Sequence, residues 1–233
     1  ASTEFDINFS SFKDPSNQKS LDTLSALQEV EFKAEVINKN TGGIASGFNG
    51  TYTIELHDKP ALSKTLGDES SPVEFPEQNI PLFKGSGEVI SGLIQGKMIV
   101  PKNINLESGE GRIRMIAEST SLAQEAFGIY TPIIGGTSTN NPEDTEGPII
   151  SAVFGKKEDA PLTFPSTSLE MEASFLDPSG INISGLVPAE TLTVQINQND
   201  LIPLNMFFKS DLNNFVSGKV NFNLSGLKEG KNL

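Results

Sequence analysis

Cysteine and tryptophan are absent from these 233 residues, and there is a single histidine, His57. The missing cysteine excludes disulfides, thiolate metal sites and a cysteine nucleophile, and leaves the redox compartment open. Basic residues are scarce: 17 Lys and Arg face 30 Asp and Glu, a formal net charge of -13. Such a surface repels nucleic acid and anionic membrane faces, because affinity for a phosphate backbone comes from neutralising it with Lys and Arg. The acidity itself reads as solubility. No apolar run reaches the length of a membrane helix, so no transmembrane segment is expected. Ala1-Ser2-Thr3-Glu4 opens the chain without a basic segment followed by an apolar core. No signal peptide is visible there, and the expectation is a mature chain or an excised piece of a longer one.

What is present points to strands. Fifteen Phe supply most of the aromatic bulk, and 21 Gly and 14 Pro suit many short strands joined by turns. Val30, Phe32, Ala34 and Val36 alternate with Glu31, Lys33 and Glu35, the period of a strand with one buried face. Tyr52, Ile54 and Leu56 alternate likewise, until Pro60 ends the run for want of a ladder donor. Further strands are expected over 80–84, 87–90, 93–100, 111–117 and 128–134. Ser91-Gly92 makes a tight hairpin between two of them. Residues 61–79 hold no convincing strand and read as a long acidic loop, either a simple crossover between sheets or the first choice for a contact surface. Leu21, Leu24 and Leu27 fit either a short helical turn or a loop.

The stretch 135–144, Gly-Gly-Thr-Ser-Thr-Asn-Asn-Pro-Glu-Asp, is polar, aperiodic and rich in turn formers, and reads as a linker. The second half repeats the style, with strands expected over 149–154, 168–176, 190–197, 202–209 and 216–224. The expected fold class is therefore all-β, as two consecutive immunoglobulin-like β-sandwich domains. Residues 1–28 form a lead-in, 29–140 the first sandwich and 145–233 the second. Residues 227–233 look like a turn entering another strand, so the second sandwich is expected to lack its last strand, or to be closed by continuing chain or a partner.

No catalytic constellation emerges. His57 would need a nucleophile and an orienting group, and no Ser stands in a G-x-S-x-G elbow. The acidic pairs Glu107 with Glu110 and Asp68 with Glu69 carry no sign of a cleft between them. Gly135-Gly136 is not a phosphate cradle, since no helix follows it. Asp144, Asp177 and Asn182, with Glu146, are the candidate calcium ligands, of the oxygen type that cation takes. The competing role for Asp and Asn at such positions is capping of turns.

Several segments in order carry a resemblance. They are Asp22-Thr23-Leu24-Ser25-Ala26-Leu27, Phe48-Asn49-Gly50, Asp58-Lys59 with Thr65-Leu66-Gly67, and Leu82-Phe83-Lys84-Gly85. Ile99-Val100-Pro101-Lys102-Asn103-Ile104, Gly109-Glu110-Gly111-Arg112-Ile113 and Ile134-Gly135-Gly136-Thr137 follow. Gly147-Pro148, Leu176-Asp177-Pro178-Ser179-Gly180-Ile181-Asn182 and Leu227-Lys228-Glu229-Gly230 complete the series. This order resembles the C-terminal region of PorU-type proteins, the gingipain-like sortases of the type IX secretion system in Bacteroidetes. The resemblance implies an upstream cysteine peptidase domain that trims exported cargo and attaches it to anionic lipopolysaccharide. It implies a location on the outer-membrane surface of a Gram-negative cell. The implied partners are that peptidase domain, secretion cargo or other secretion-system proteins. The family's catalytic Cys and His have no counterparts here, so no catalytic residue and no cofactor is carried over. The alternative is a free-standing secreted adhesin or glycan-binding module, which the lack of Trp and the presence of only Tyr52 and Tyr130 disfavour.

Overall fold

A computed structural model describes residues 4–68, 71–139, 146–155, 167–187 and 190–232. Twelve strands lie among the described residues up to 139. They are β1 (Phe5–Lys13), β2 (Thr23–Ala26), β3 (Glu29–Asn38), β4 (Gly50–His57), β5 (Ala61–Lys64), β6 (Glu74–Glu77), β7 (Pro81–Ile90), β8 (Leu93–Ile99), β9 (Gly109–Glu110), β10 (Arg112–Ser119), β11 (Glu125–Tyr130) and β12 (Ile133–Thr137). Period-two burial makes the long ones. Val30, Phe32, Ala34 and Val36 of β3 point inward, as do Tyr52, Ile54 and Leu56 of β4 and Ile113, Met115 and Ala117 of β10.

Seven of these strands hydrogen-bond in the order β1-β11-β10-β4-β7-β8-β3, and β3 returns to β1. The expected sandwich of two sheets is here one closed ladder. Closure depends on β1, which pairs parallel with β11 on one side and antiparallel with β3 on the other. A closed ladder removes both sheet edges, which an open pair of sheets would leave exposed. The lead-in is thus a wall strand. A register shift between Phe9 and Ser11 turns Phe12 inward, so its burial breaks the strict alternation.

β2, β12 and β9 form a smaller sheet whose Leu24, Ala26 and Ile134 join the barrel's apolar core. Residues 23–26 are therefore a strand rather than the helical turn or loop the leucine spacing allowed. The expected strand over 128–134 is broken at Thr131-Pro132 into β11 and β12, which lie in different sheets. Pro132 cannot donate to a ladder, but its carbonyl accepts from Gly111 N–H at 2.9 Å.

The second half contributes β13 (Ile149–Phe154), β14 (Ser168–Leu176), β15 (Thr193–Val194), β16 (Ile202–Pro203), β17 (Phe208–Ser210) and β18 (Ser217–Ser225). β13-β14-β18-β17 make an antiparallel sheet, and β15-β16 a short ribbon. The strands expected over 190–197 and 202–209 shrink to these short pieces, with a 3-10 turn at Asn205–Phe207. Met171, Ala173, Phe175, Phe208, Val220 and Leu224 pack with Ile181, Ile183 and Leu204 into a second core cluster. Among the described residues no helix is long and apolar enough to cross a membrane.

Candidate contact surface

The segment read as an acidic loop is a hairpin arm. β5 and β6 pair antiparallel, Leu62 with Pro76 and Lys64 with Glu74, and neither joins the barrel ladder. Lys64 and Glu74 form an ion pair at 2.9 Å, and Ser63 Oγ donates to Glu77 Oε2 at 2.8 Å. Thr65 and Val73 close the ribbon with a backbone bond at 3.0 Å. Leu62 is 73% exposed, Leu66 90%, Val73 59% and Phe75 40%. A two-stranded ribbon with its apolar groups in water is marginal by itself, and exposed apolar clusters of this kind mark contact sites. The ribbon and its turn carry one lysine, Lys64, against Asp68, Glu69, Glu74 and Glu77.

The base of the arm is rigid. Asp58 and Lys59 follow the last residue of β4, and their side chains are 5% and 12% exposed. Lys59 Nζ lies 2.7 Å from Asp58 Oδ1 and donates to the Asn105 carbonyl at 2.9 Å. Asp58 Oδ1 also accepts from Lys59 N–H at 2.8 Å. The Asp58 backbone is gripped from both sides: its N–H donates to Ile80 O, and its carbonyl accepts from Gln78 Nε2 at 2.9 Å. Arg112 Nη2 donates to the Gln78 carbonyl at 2.7 Å. Both stems of the arm are thereby tied to β10, because the register sets Arg112 opposite His57.

His57 sits in this base with Nε2 3.3 Å from Glu55 Oε2, while its buried Nδ1 has no partner among the described residues. Burial is the main force lowering the His57 pKa, Arg112 and Arg114 add to it, and Glu55 opposes it. Burial works to raise the Glu55 carboxyl, but the bond from His57 and the nearby Lys84 ammonium outweigh it and hold the carboxyl below its ordinary range. Among the described residues no hydroxyl bonds to the imidazole, so no nucleophile–base pair of the usual kind is formed there.

Two of the candidate calcium ligands, Asp177 and Asn182, cap turns. Asp144 lies outside the described residues. Asp177 is buried and its Oδ1 accepts from Ser179 N–H at 2.8 Å, an Asx turn. Asn182 Oδ1 accepts from Ser184 N–H and Ser184 Oγ at 3.0 and 2.8 Å. Among the described residues no group of three or more His, Asp or Glu is placed to hold a metal ion. Sequence reading quoted Asp58-Lys59 as a motif of the resemblance but gave the pair no role. The structure alone shows that His57 and Asp58 are buried in succession after Leu56, against the alternation.

No protein-family model matches the chain, and no curated protein sequence matches it. Among solved structures, dimeric latent PorU from Porphyromonas gingivalis aligns at a TM-score of 0.54 and 24% identity, over 98% of this chain and 22% of that one. At that identity the likeness establishes the all-β fold alone, and the chain spans about a fifth of that protein's length. Spo0M, a sporulation control protein from Bacillus subtilis, aligns over 76% of this chain and 67% of its own, at a TM-score of 0.34 and 10% identity.

Proposed function

We propose that this chain is a non-catalytic accessory region of a cell-surface gingipain-like peptidase or sortase, one that processes and attaches type IX secretion cargo. Its work is positional: a stiff β scaffold presents loops to partner proteins. The partners in this reading are an upstream peptidase domain, cargo or other secretion components, at the outer surface of a Gram-negative cell. The second half, 145–233, is taken as an immunoglobulin-like unit that follows the barrel. Support comes from the collinear motifs of the resemblance and from the fold shared with part of PorU.

The observation that carries the reading is the arm, where Leu62 and Leu66 stand in water on a stem held by Asp58, Gln78 and Arg112. The test replaces both leucines with serine in the full-length protein and measures cargo processing in cells. Processing is expected to fall while the variant keeps the wild-type unfolding midpoint. Full processing by that folded variant removes the arm from the mechanism. A reading frame with no Cys/His peptidase domain ahead of Ala1 overturns the accessory role itself and favours the adhesin.

A further inference from the structure

The barrel has a seam. β7 and β8 pair only beside their hairpin, Val89 with Ile94 and Ile90 with Leu93. Farther along, β8 stays on β3 and β7 stays on β4, so the two diverge. Backbone groups on that side of β7 then lack a strand partner. Backbone amides and carbonyls seek partners, from water or from another segment of the chain.

The partner comes from the other half of the chain. Asn213 N–H donates to Ser86 O at 2.9 Å, and Asn213 Oδ1 accepts from Glu88 N–H at 3.0 Å. Asn213 Nδ2 returns to Glu88 Oε2 at 3.0 Å. Leu212 forms a parallel bridge to Ser86, and Ser86 Oγ lies 3.3 Å from Ser210 Oγ. Asn213 holds a φ of 57°, a left-handed geometry that asparagine tolerates and most side chains do not. That turn lets its amide and its side chain both face β7. Two residues on, Phe215 packs against the barrel core. It borders a cavity of about 270 Å³ shared with Phe32, Tyr52, Ile54 and Phe83.

The loop is shaped before it docks. Asn214 Nδ2 donates to Ser217 Oγ, Asn214 Oδ1 accepts from Val216 N–H, and Ser217 Oγ donates to Asp211 Oδ2. A second contact lies nearby, where Glu190 meets Lys102 at 3.4 Å and also takes a bond from Asn103. Ile99, buried although it ends β8, lies against Gly180, where a Cβ would collide with it.

We infer that the β7–β8 seam is a docking surface for a turn-forming Asn-x-Phe segment, and that residues 211–216 fill it as the missing piece of the barrel wall. The two halves are then one interlocked unit held by this clasp, not two domains joined only by the linker. The inference goes beyond the accessory reading and holds whether or not that reading does.

The test uses the full chain with a protease recognition sequence replacing residues 141–145. After cleavage the wild-type halves are expected to co-elute in size-exclusion chromatography. In the Asn213→Ala/Phe215→Ala variant they are expected to separate. A milder reading comes from hydrogen exchange on the uncut Asn213→Ala chain. The Glu88 amide should exchange about tenfold faster, the scale of one lost hydrogen bond, while the Met115 amide keeps its rate. Separation of the cleaved wild-type halves overturns the inference. So does co-elution of the cleaved variant, or an unchanged Glu88 exchange rate in the single mutant.

Discussion

Tyr52 and Gly87 face each other across the β4–β7 ladder, and the phenol ring occupies the space where a side chain on Gly87 would begin. A Cβ there would lie 2.5 Å from both Tyr52 Cε1 and its hydroxyl oxygen. The same ring bars a side chain at Gly96 on β8. Tyr52 is buried so fully that its pKa is pushed up to about 12, and its hydroxyl reaches only the Gln95 carbonyl, at 3.5 Å.

Gly87→Ala should therefore destabilise the chain by about 1–3 kcal/mol, the usual cost of overpacking a filled core. The cost should largely vanish in a Tyr52→Val background, because the three atoms nearest that Cβ all belong to Tyr52. Urea denaturation of the four proteins in the double-mutant cycle should give a coupling of at least ~1 kcal/mol. Additive effects would show that the ring is free to move aside.

Asp58→Ala should be among the most damaging single changes at the base of the arm. It leaves the Lys59 ammonium, 12% exposed, with carbonyl partners only. Removing one member of a buried pair typically costs ~3–5 kcal/mol. Replacing Lys64, in the exposed pair with Glu74, should cost less than ~1 kcal/mol by the same denaturation measurement. Equal effects at the two sites would mean that the base is wetter than its burial indicates.

Acid should weaken the fold in two stages. The His57 pKa in the folded chain lies below its ordinary 6.5. Above 6.5 the ring is neutral in both states and contributes no pH dependence. As pH falls through 6.5 the unfolded chain takes up the proton first, so stability drops until the folded pKa is passed. Glu55, lowered from 4.5, contributes stability that is whole above that value and is lost as pH falls through its folded pKa. Because His57 is the chain's one histidine, His57→Gln should flatten the profile around and just below pH 6.5. Glu55→Gln should flatten it below pH 4.5 instead. Unfolding midpoints at half-unit pH steps measure both, and an unchanged slope in His57→Gln would contradict the neutral buried ring.

Calcium should not stabilise the chain. Asp177 Oδ1 and Asn182 Oδ1 are engaged in turns with the N–H groups of Ser179 and Ser184, and among the described residues no group of three acidic side chains is placed to hold a metal ion. Thermal midpoints with millimolar CaCl₂ and with EDTA are expected to coincide. A rise that saturates with calcium and disappears in Asp177→Asn would establish a site.

The strands that could be read in advance are those with one face in the core. Val30, Phe32, Ala34 and Val36 show themselves because each is at most 1% exposed while its neighbours meet solvent. β5 and β6 could not be read this way. Both faces of that ribbon are wet, so Leu62 and Phe75 follow no burial period among Ser63, Lys64, Glu74 and Pro76. Phe12 was hidden by the bulge in β1, and Asn213 by looking like an ordinary turn residue. Residues 61–79 stood out as a candidate contact surface by length and acidity, whereas the burial of Asp58 and Lys59 at its foot did not show in the sequence.

Side-chain chemistry along the chain was enough to set the strands with one face in the core, the acidic surface and the lack of a cysteine or histidine dyad, because these depend on residue type and near neighbours. Tertiary structure alone decided that β1 closes a barrel, that Leu62 and Leu66 are left in water, and that Asn213 completes the ladder of β7. Backbone amides and carbonyls are alike at every position, so which distant segment satisfies them depends on the geometry of the whole chain.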